Sequence, residues 1–190
     1  MTEKKEEMIS MDEAKRAVEI TCQRLAFLHI AFARAILSEL GEKEGKKLIL
    51  KAVKNYGRMV GEKMKSDVAA MGLENIPANY GVGKSRDLPA FGMQTGRETV
   101  TVNGEKRTRA FGCVMGKIWN EMGEGELGRL YCYVDPAKYM AFNPNYKLMH
   151  TKCLPGGDDC CEMTVRATTE QERKDFADDA ADWAYIDEDK

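Results

Sequence analysis

Apolar residues recur every three or four positions through the first seventy residues of the chain. Ala14, Val18, Leu25, Leu28, Phe32, Ile36 and Leu40 follow helical spacing. Ser10 and Glu13 precede them as a capping box, and Gly41 supplies the stop. A second helical period runs from Glu42 to about Met71 through Leu48, Ile49, Val53, Met59, Val60 and Met64. Gly45, Gly57 and Gly61 weaken it, and Gly57 and Gly61, one turn apart, leave room for another helix or a ligand. The pattern predicts two long helices packed as an antiparallel hairpin.

The periodicity then changes. Leu73 to Gly96 follows neither a helical nor a strand period and carries Pro77, Gly81, Gly83 and Pro89. It reads as a long loop, of the length that often forms a lid, and it is placed here over the later hairpin. Its GVGK run, Gly81 to Lys84, lacks P-loop spacing and receives no nucleotide role. Glu98 to Val102 and Glu105 to Cys113 flank Asn103-Gly104, the preferred pair for a type I′ turn, and so form a β-hairpin. Lys117 to Met140 reads as helix and turn around Trp119, Leu127 and Tyr131. Asp135-Pro136 then suits a helix start with Asp135 as N-cap, and Asn143-Pro144 ends that helix.

Tyr146 to Leu154 and Cys160 to Ala167 suit strands on either side of Pro155-Gly156-Gly157-Asp158. Pairing Leu154 with Asp159 places Leu148, His150 and Lys152 on one face with Cys161, Met163 and Val165. His150 and Cys161 become diagonal neighbours, a relation that one bulge would undo. Thr169 and Glu172 again have capping-box spacing, ahead of Phe176, Ala180 and Trp183 on one helical face, and Asp187 to Lys190 reads as a solubilising tail. The expected fold class is α+β: two long N-terminal helices packed on an antiparallel sheet built from two hairpins, with a C-terminal helix, in a single domain over residues 1–190.

Composition narrows the function. A formal charge of −2 gives no electrostatic footprint for nucleic acid. No run approaches the ~20 apolar residues of a membrane span, and the opening MTEKKEEMISMDEAKR has no apolar segment of a secretory signal. Six cysteines in that setting point to a reducing cytoplasm and free thiols. Their spacing includes no C-x-x-C pair, so no metal is expected, and no cofactor either. A homo-oligomer through the N-terminal helices is an expectation for partners beyond a small-molecule substrate.

Chemistry concentrates in Leu130 to Arg166, which holds four of the six cysteines and His150. Adjacent Cys160 and Cys161 point to opposite sides of a strand, and Cys161 faces the apolar Leu148, Met163 and Val165. It is either a small buried thiol or a nucleophile. Asp135 and Asp158 read as cap and turn residues or as groups serving His150. Arg58 reads as a solvated helix arginine or as a bidentate partner for a carboxylate, and His29, within the apolar FLHIAFA run, as a packed histidine.

The block LYCYVDPA, followed by FNP and a TK-x-L-x-x-GDDCC segment, resembles the L-2-amino-thiazoline-4-carboxylic acid hydrolase family. The match falls on Cys132, Asp135, Phe142, Asn143, Pro144, Thr151, Lys152, Gly157, Asp158 and Cys161, with looser agreement at Trp119 and Gly128. It implies a cytosolic hydrolase acting on C–N bonds of a cyclic amidine, which opens an amino-thiazoline ring to a carbamoyl-cysteine type product. The catalytic set expected on that resemblance is Cys161, Asp135 and His150, with the Cys161 thiolate or a water activated by Asp135 or His150 attacking the ring carbon, although His150 departs from the family pattern. Asn143, Lys152, Arg58, Asp158 and Cys132 are the candidates for substrate binding. The alternative from another class is a non-catalytic small-molecule-binding or assembly module resembling four-vinyl-reductase-type domains, whose pocket would be lined by apolar groups. Convergence of Cys161, Asp135 and Asn143 on a polar pocket separates the two.

Overall fold

A computed structural model describes residues 8–187. The first seven residues, which open the segment read above as lacking a signal, and the last three of the charged tail lie outside the described residues.

The helical hairpin is α1 (Met11–Ala70), broken at Gly41, where φ is 73° and ψ 170°. Its capping box is complete: the Ser10 hydroxyl accepts from the Glu13 N–H, and the Glu13 carboxylate accepts from the Ser10 N–H. Beyond Gly41 the chain turns back, so that Gly45 lies against the side chain and backbone of Leu37. A straight helix would hold those residues about 12 Å apart. The two arms bury Ala26, Ile30 and Ala33 with Ile49 and Val53.

The second arm meets the rest of the molecule through its glycines. A β-carbon at Gly57 would strike Ala137, and one at Gly61 would strike the Lys138 carbonyl. The close approach is therefore made by a helix, α4 (Val134–Phe142). The preceding helices are α2 (Val114–Glu121) and α3 (Gly125–Cys132). They are locked by Trp119, whose indole N–H donates to the Ala26 carbonyl and whose ring leaves no room for a side chain at Gly128.

Strands β1 (Gly96–Val102), β2 (Glu105–Phe111), β3 (Tyr146–Lys152) and β4 (Cys161–Ala167) form one antiparallel sheet in the order β1-β2-β4-β3. Asn103 and Gly104 take φ of 51° and 81°, as a type I′ turn requires. Helix α4 touches both the second arm of α1 and β3, so the helical hairpin reaches the sheet through it.

The second hairpin keeps the expected register as far as His150↔Met163, and a bulge between His150 and Lys152 then shifts the pairing by one. Because the bulge falls on β3 after His150, Cys161 stays with Met163 and Ala110 in one buried cluster. The strands end earlier than the pattern suggested. Cys160 precedes β4, and Leu154–Gly156 forms a 3₁₀ turn closed by Gly157 at φ 100°.

Helix α5 (Glu170–Ala177) starts at the Thr169–Glu172 capping box. It stops at Ala177, short of Ala180, where Lys54 takes the Asp175 and Asp178 carbonyls and Arg58 takes those of Phe176 and Ala177. Trp183 still packs on Phe176, but from the segment that follows, together with Ile186. The long loop packs on α1 and α4 at several points. Tyr80 stacks on Tyr139 at 3.9 Å, the Ser85 N–H donates to Asp67 and Lys138 pairs with Asp87. Its contacts place it over α4 instead of over the hairpin.

Candidate active site

Asp135 is the first departure from a local reading of the sequence. Helix α4 continues almost directly from α3, with Tyr133 at its N-cap in right-handed helical geometry. The Asp135 side chain therefore caps nothing and turns toward β3. Its Oδ2 lies 3.3 Å from His150 Nε2, and its Oδ1 lies 2.6 Å from Lys138 Nζ.

On the other side of the imidazole stands Asp187, from the 3₁₀ turn Ala184–Asp187. Its carboxylate accepts from the His150 N–H at 2.7 Å, faces His150 Nδ1 at 3.0 and 3.2 Å, and accepts from Arg129 Nη2 at 2.6 Å. Six groups thus form a chain of alternating charge: Asp87, Lys138, Asp135, His150, Asp187 and Arg129. It joins residues from the long loop, α4, β3, the C-terminal turn and α3. Its three acidic and three basic members balance, which is how a protein holds such charges away from water. Arg129 also lies over the Tyr133 ring at 4.6 Å, and its buried Nη1 has no hydrogen-bond partner.

This environment fixes the protonation states. Burial works against a charged His150, but Asp187 and Asp135 outweigh it and raise the imidazolium to about 10. Burial likewise works against the Asp135 carboxylate. Lys138 and His150 overcome it and hold Asp135 below the usual range. At neutral pH the pair is an imidazolium between two carboxylates.

The thiols sit beside it. Cys161 and Cys153 lie in one buried cluster with Cys132 packed against it, and the Leu154 N–H points at Cys161 Sγ at 3.4 Å. The neighbouring Cys153 thiol and then burial push the Cys161 thiol up. The Leu154 N–H and the charge of His150 pull it down by less. Cys161 is thus a thiol at rest. All six cysteines are unpaired, and among the described residues no His, Cys, Asp and Glu cluster suits a metal ion.

The structure brings Cys161, His150, Asp135 and Cys132 into one neighbourhood and does not bring the remaining candidates there. Arg58 pairs with Asp179 at 2.5 Å and holds the end of α5, so it is not free for a substrate carboxylate. Lys152 lies beyond the bulge and pairs with Asp159 at the surface, at 3.0 Å. Asp158 accepts from the Cys153 N–H at 2.7 Å and shapes the turn. Asn143 donates to the Asn75 carbonyl at 2.6 Å and accepts from the Asn145 N–H, tying the long loop to the end of α4. His29 packs edge-on against Trp119 and Tyr131, with Nε2 2.9 Å from the Leu127 carbonyl oxygen.

Asp87, Arg129, Lys138 and Asp187 are the members that the sequence pattern did not single out. Lys138 had a local signal, since it follows Asp135 by three residues on one helix. Arg129 and Asp187 are 58 residues apart and had none. Two surface clefts, of about 480 Å³ beside Lys147 and Glu172 and about 430 Å³ along the start of α1, are lined by none of the cluster residues.

Fold and cluster together define an α+β domain with a buried histidine–carboxylate centre next to a thiol. The family model for L-2-amino-thiazoline-4-carboxylic acid hydrolase matches residues 20–165, and the chain belongs to that family. Asp187 lies beyond the matched segment. No curated protein matches the chain. Among solved structures, it is similar to trafficking protein particle complex subunit 3 from Naegleria fowleri, a structure covalently bound to palmitic acid. That likeness has 16% identity and a TM-score of 0.47, and covers 80% of this chain and 97% of the other.

Proposed function

We propose that the protein hydrolyses a cyclic amidine of the 2-amino-thiazoline-4-carboxylate type, in a reducing cytoplasm, with Cys161 as nucleophile and His150 as proton carrier. The observation that carries this reading is the His150 imidazolium, which stands on β3 between Asp135 and Asp187 and lies diagonally across the strand pair from Cys161 on β4. Family membership supplies the reaction class.

The chemistry follows from the resting charges. The substrate's ring nitrogen replaces Asp135 at His150 Nε2 and takes the proton there, which makes the carbon between nitrogen and sulfur more electrophilic. The neutral imidazole then takes the Cys161 proton, and Sγ bonds to that carbon. The carbon–ring sulfur bond breaks instead of the C–N bond that the resemblance implied, since a carbamoyl-cysteine product keeps the ring nitrogen, and the proton on His150 passes to the departing sulfur. Water adds to the isothiourea that remains on Cys161 and expels Sγ, leaving a carbamoyl group on the substrate nitrogen. One water is consumed and one new thiol appears. Dividing the hydration in two is the benefit of a covalent route. Asp187, on Nδ1, fixes the imidazole, and with Asp135 it stabilises the charge when that returns, the part that an orienting carboxylate plays in a nucleophile–histidine site.

A second reading, a non-catalytic binding or assembly module, is favoured by a different observation. His150, Asp187 and Cys161 are all buried, and the thiol holds its proton. Incubating the purified chain with 2-amino-thiazoline-4-carboxylate and following new thiol and carbamoyl-cysteine by mass spectrometry separates the two. Product formation that is lost in Cys161→Ser supports the hydrolase, and no product from the parent chain supports the module.

A further inference from the structure

The outward face of the first arm of α1 is apolar for about five turns. Ala17, Ile20, Phe27, Leu28, Ala31, Phe32 and Ala35 are all exposed, with Phe27 at 52%, Leu28 at 53% and Phe32 at 62%. Arg24 is the one charged residue within the face. The opposite side of the same arm is committed to the core through Cys22, Ala26, Ile30 and Ala33. The arm is therefore apolar on both sides, although among the described residues only one side has a partner. Isolated exposed apolar residues are ordinary, but a contiguous patch of this kind marks an interaction surface.

We infer that this face pairs with the same face of a second copy of the chain about a two-fold axis near Leu28. Three features favour a second copy. Large residues (Phe27, Leu28, Phe32) alternate with small ones (Ala17, Ala31, Ala35), so the face offers both knobs and the hollows to receive them. Such self-complementarity is what an isologous interface requires. Antiparallel pairing about Leu28 sets Arg24 of one copy level with Phe32 of the other, four residues to either side, where the guanidinium can lie on the ring. The exposed area of the face is on the order of 600 Å² per copy, or roughly 1,200 Å² for the pair, which reaches the lower range of specific interfaces.

A lipid surface is the competing occupant, because α1, against the expectation from the sequence that no run suits a membrane span, contains an 18-residue stretch apolar enough by composition to cross one, with 22% of it buried. The face fits a membrane less well. Arg24 sits at its middle, and its ends carry Glu13 and Arg16 at one and Glu39 at the other, whereas interfacial helices carry a basic polar face.

Sedimentation velocity of the full chain across micromolar concentrations tests the inference. The expected species has twice the 21.3 kDa mass of one chain. Phe32→Glu and, separately, Ala35→Glu should each convert it to a single copy with the helical circular-dichroism spectrum kept, since both positions are exposed. Arg24→Ala should weaken the dimer several-fold. A single copy throughout the concentration range overturns the inference, as does a dimer that both glutamate variants leave intact. Binding of a monomeric chain to phosphatidylcholine–phosphatidylserine vesicles overturns it in favour of the lipid surface.

Discussion

His150 carries the charge on which the proposed chemistry turns, and its titration is open to direct measurement. A buried histidine raised to about 10 contributes stability that is fully present below its unfolded value of 6.5 and is lost as pH rises through the folded value. Asp135 has the opposite sign: its contribution is present above 3.8 and is lost as pH falls. Urea midpoints of the parent chain should therefore fall between pH 6.5 and 10 relative to those of His150→Asn, whose profile lacks this loss. Asp187→Asn keeps the acceptor oxygen but removes the charge, so the His150 resonances should titrate at a lower pH. An unchanged titration would mean that Asp187 does not hold the imidazolium. Cys161→Ser retains the volume and should cost turnover by several powers of ten while folding is kept. At this scale the sequence pointed to Cys161, His150 and Asp135, because they cluster within one stretch. Asp187 looked like a solvated tail residue, because nothing adjacent to it shows that Trp183 and Ile186 pull it into the core.

Local chemistry written in a few neighbouring residues reads through at the level of elements. Both capping boxes, the Gly41 break and the Asn103-Gly104 turn needed no distant information, and each formed where the pattern placed it. Asp135 did not read through. An Asp-Pro pair announces a helix start, but here the helix enters from α3 without a new cap, which frees the carboxylate for His150. The end of α5 was equally illegible, since it is set by Lys54 and Arg58 more than 115 residues earlier. The tight element contact is that of Gly61 with α4, the helix that carries Asp135 and Lys138. Gly61→Val should destabilise the fold by ~1–3 kcal/mol through overpacking against backbone that cannot yield, measured as a shift in urea midpoint. Gly104→Ala, at a positive φ remote from the site, should leave turnover unchanged.

Viewed as a whole, the molecule builds its candidate site by convergence. The helical hairpin holds α4, α4 presents Asp135 to the sheet, the second hairpin supplies His150 and Cys161, and the C-terminal turn closes the cluster with Asp187. The α+β class followed from the change in apolar period along the chain. The layer order did not, because no residue pattern shows that α4 lies between the long helices and the sheet. A chain ending at Ala177 should keep the α1 hairpin and lose turnover, since it lacks the carboxylate on His150 Nδ1; retained turnover would remove Asp187 from the reaction. The central claim is that this convergence performs ring-opening hydrolysis, and the direct measurement is turnover of 2-amino-thiazoline-4-carboxylate by the purified chain in water enriched in ¹⁸O. The account predicts carbamoyl-cysteine carrying one heavy oxygen in its carbamoyl group, released with one new thiol per turnover and lost in Cys161→Ser. Unchanged substrate, or equal turnover by Cys161→Ser, would contradict it.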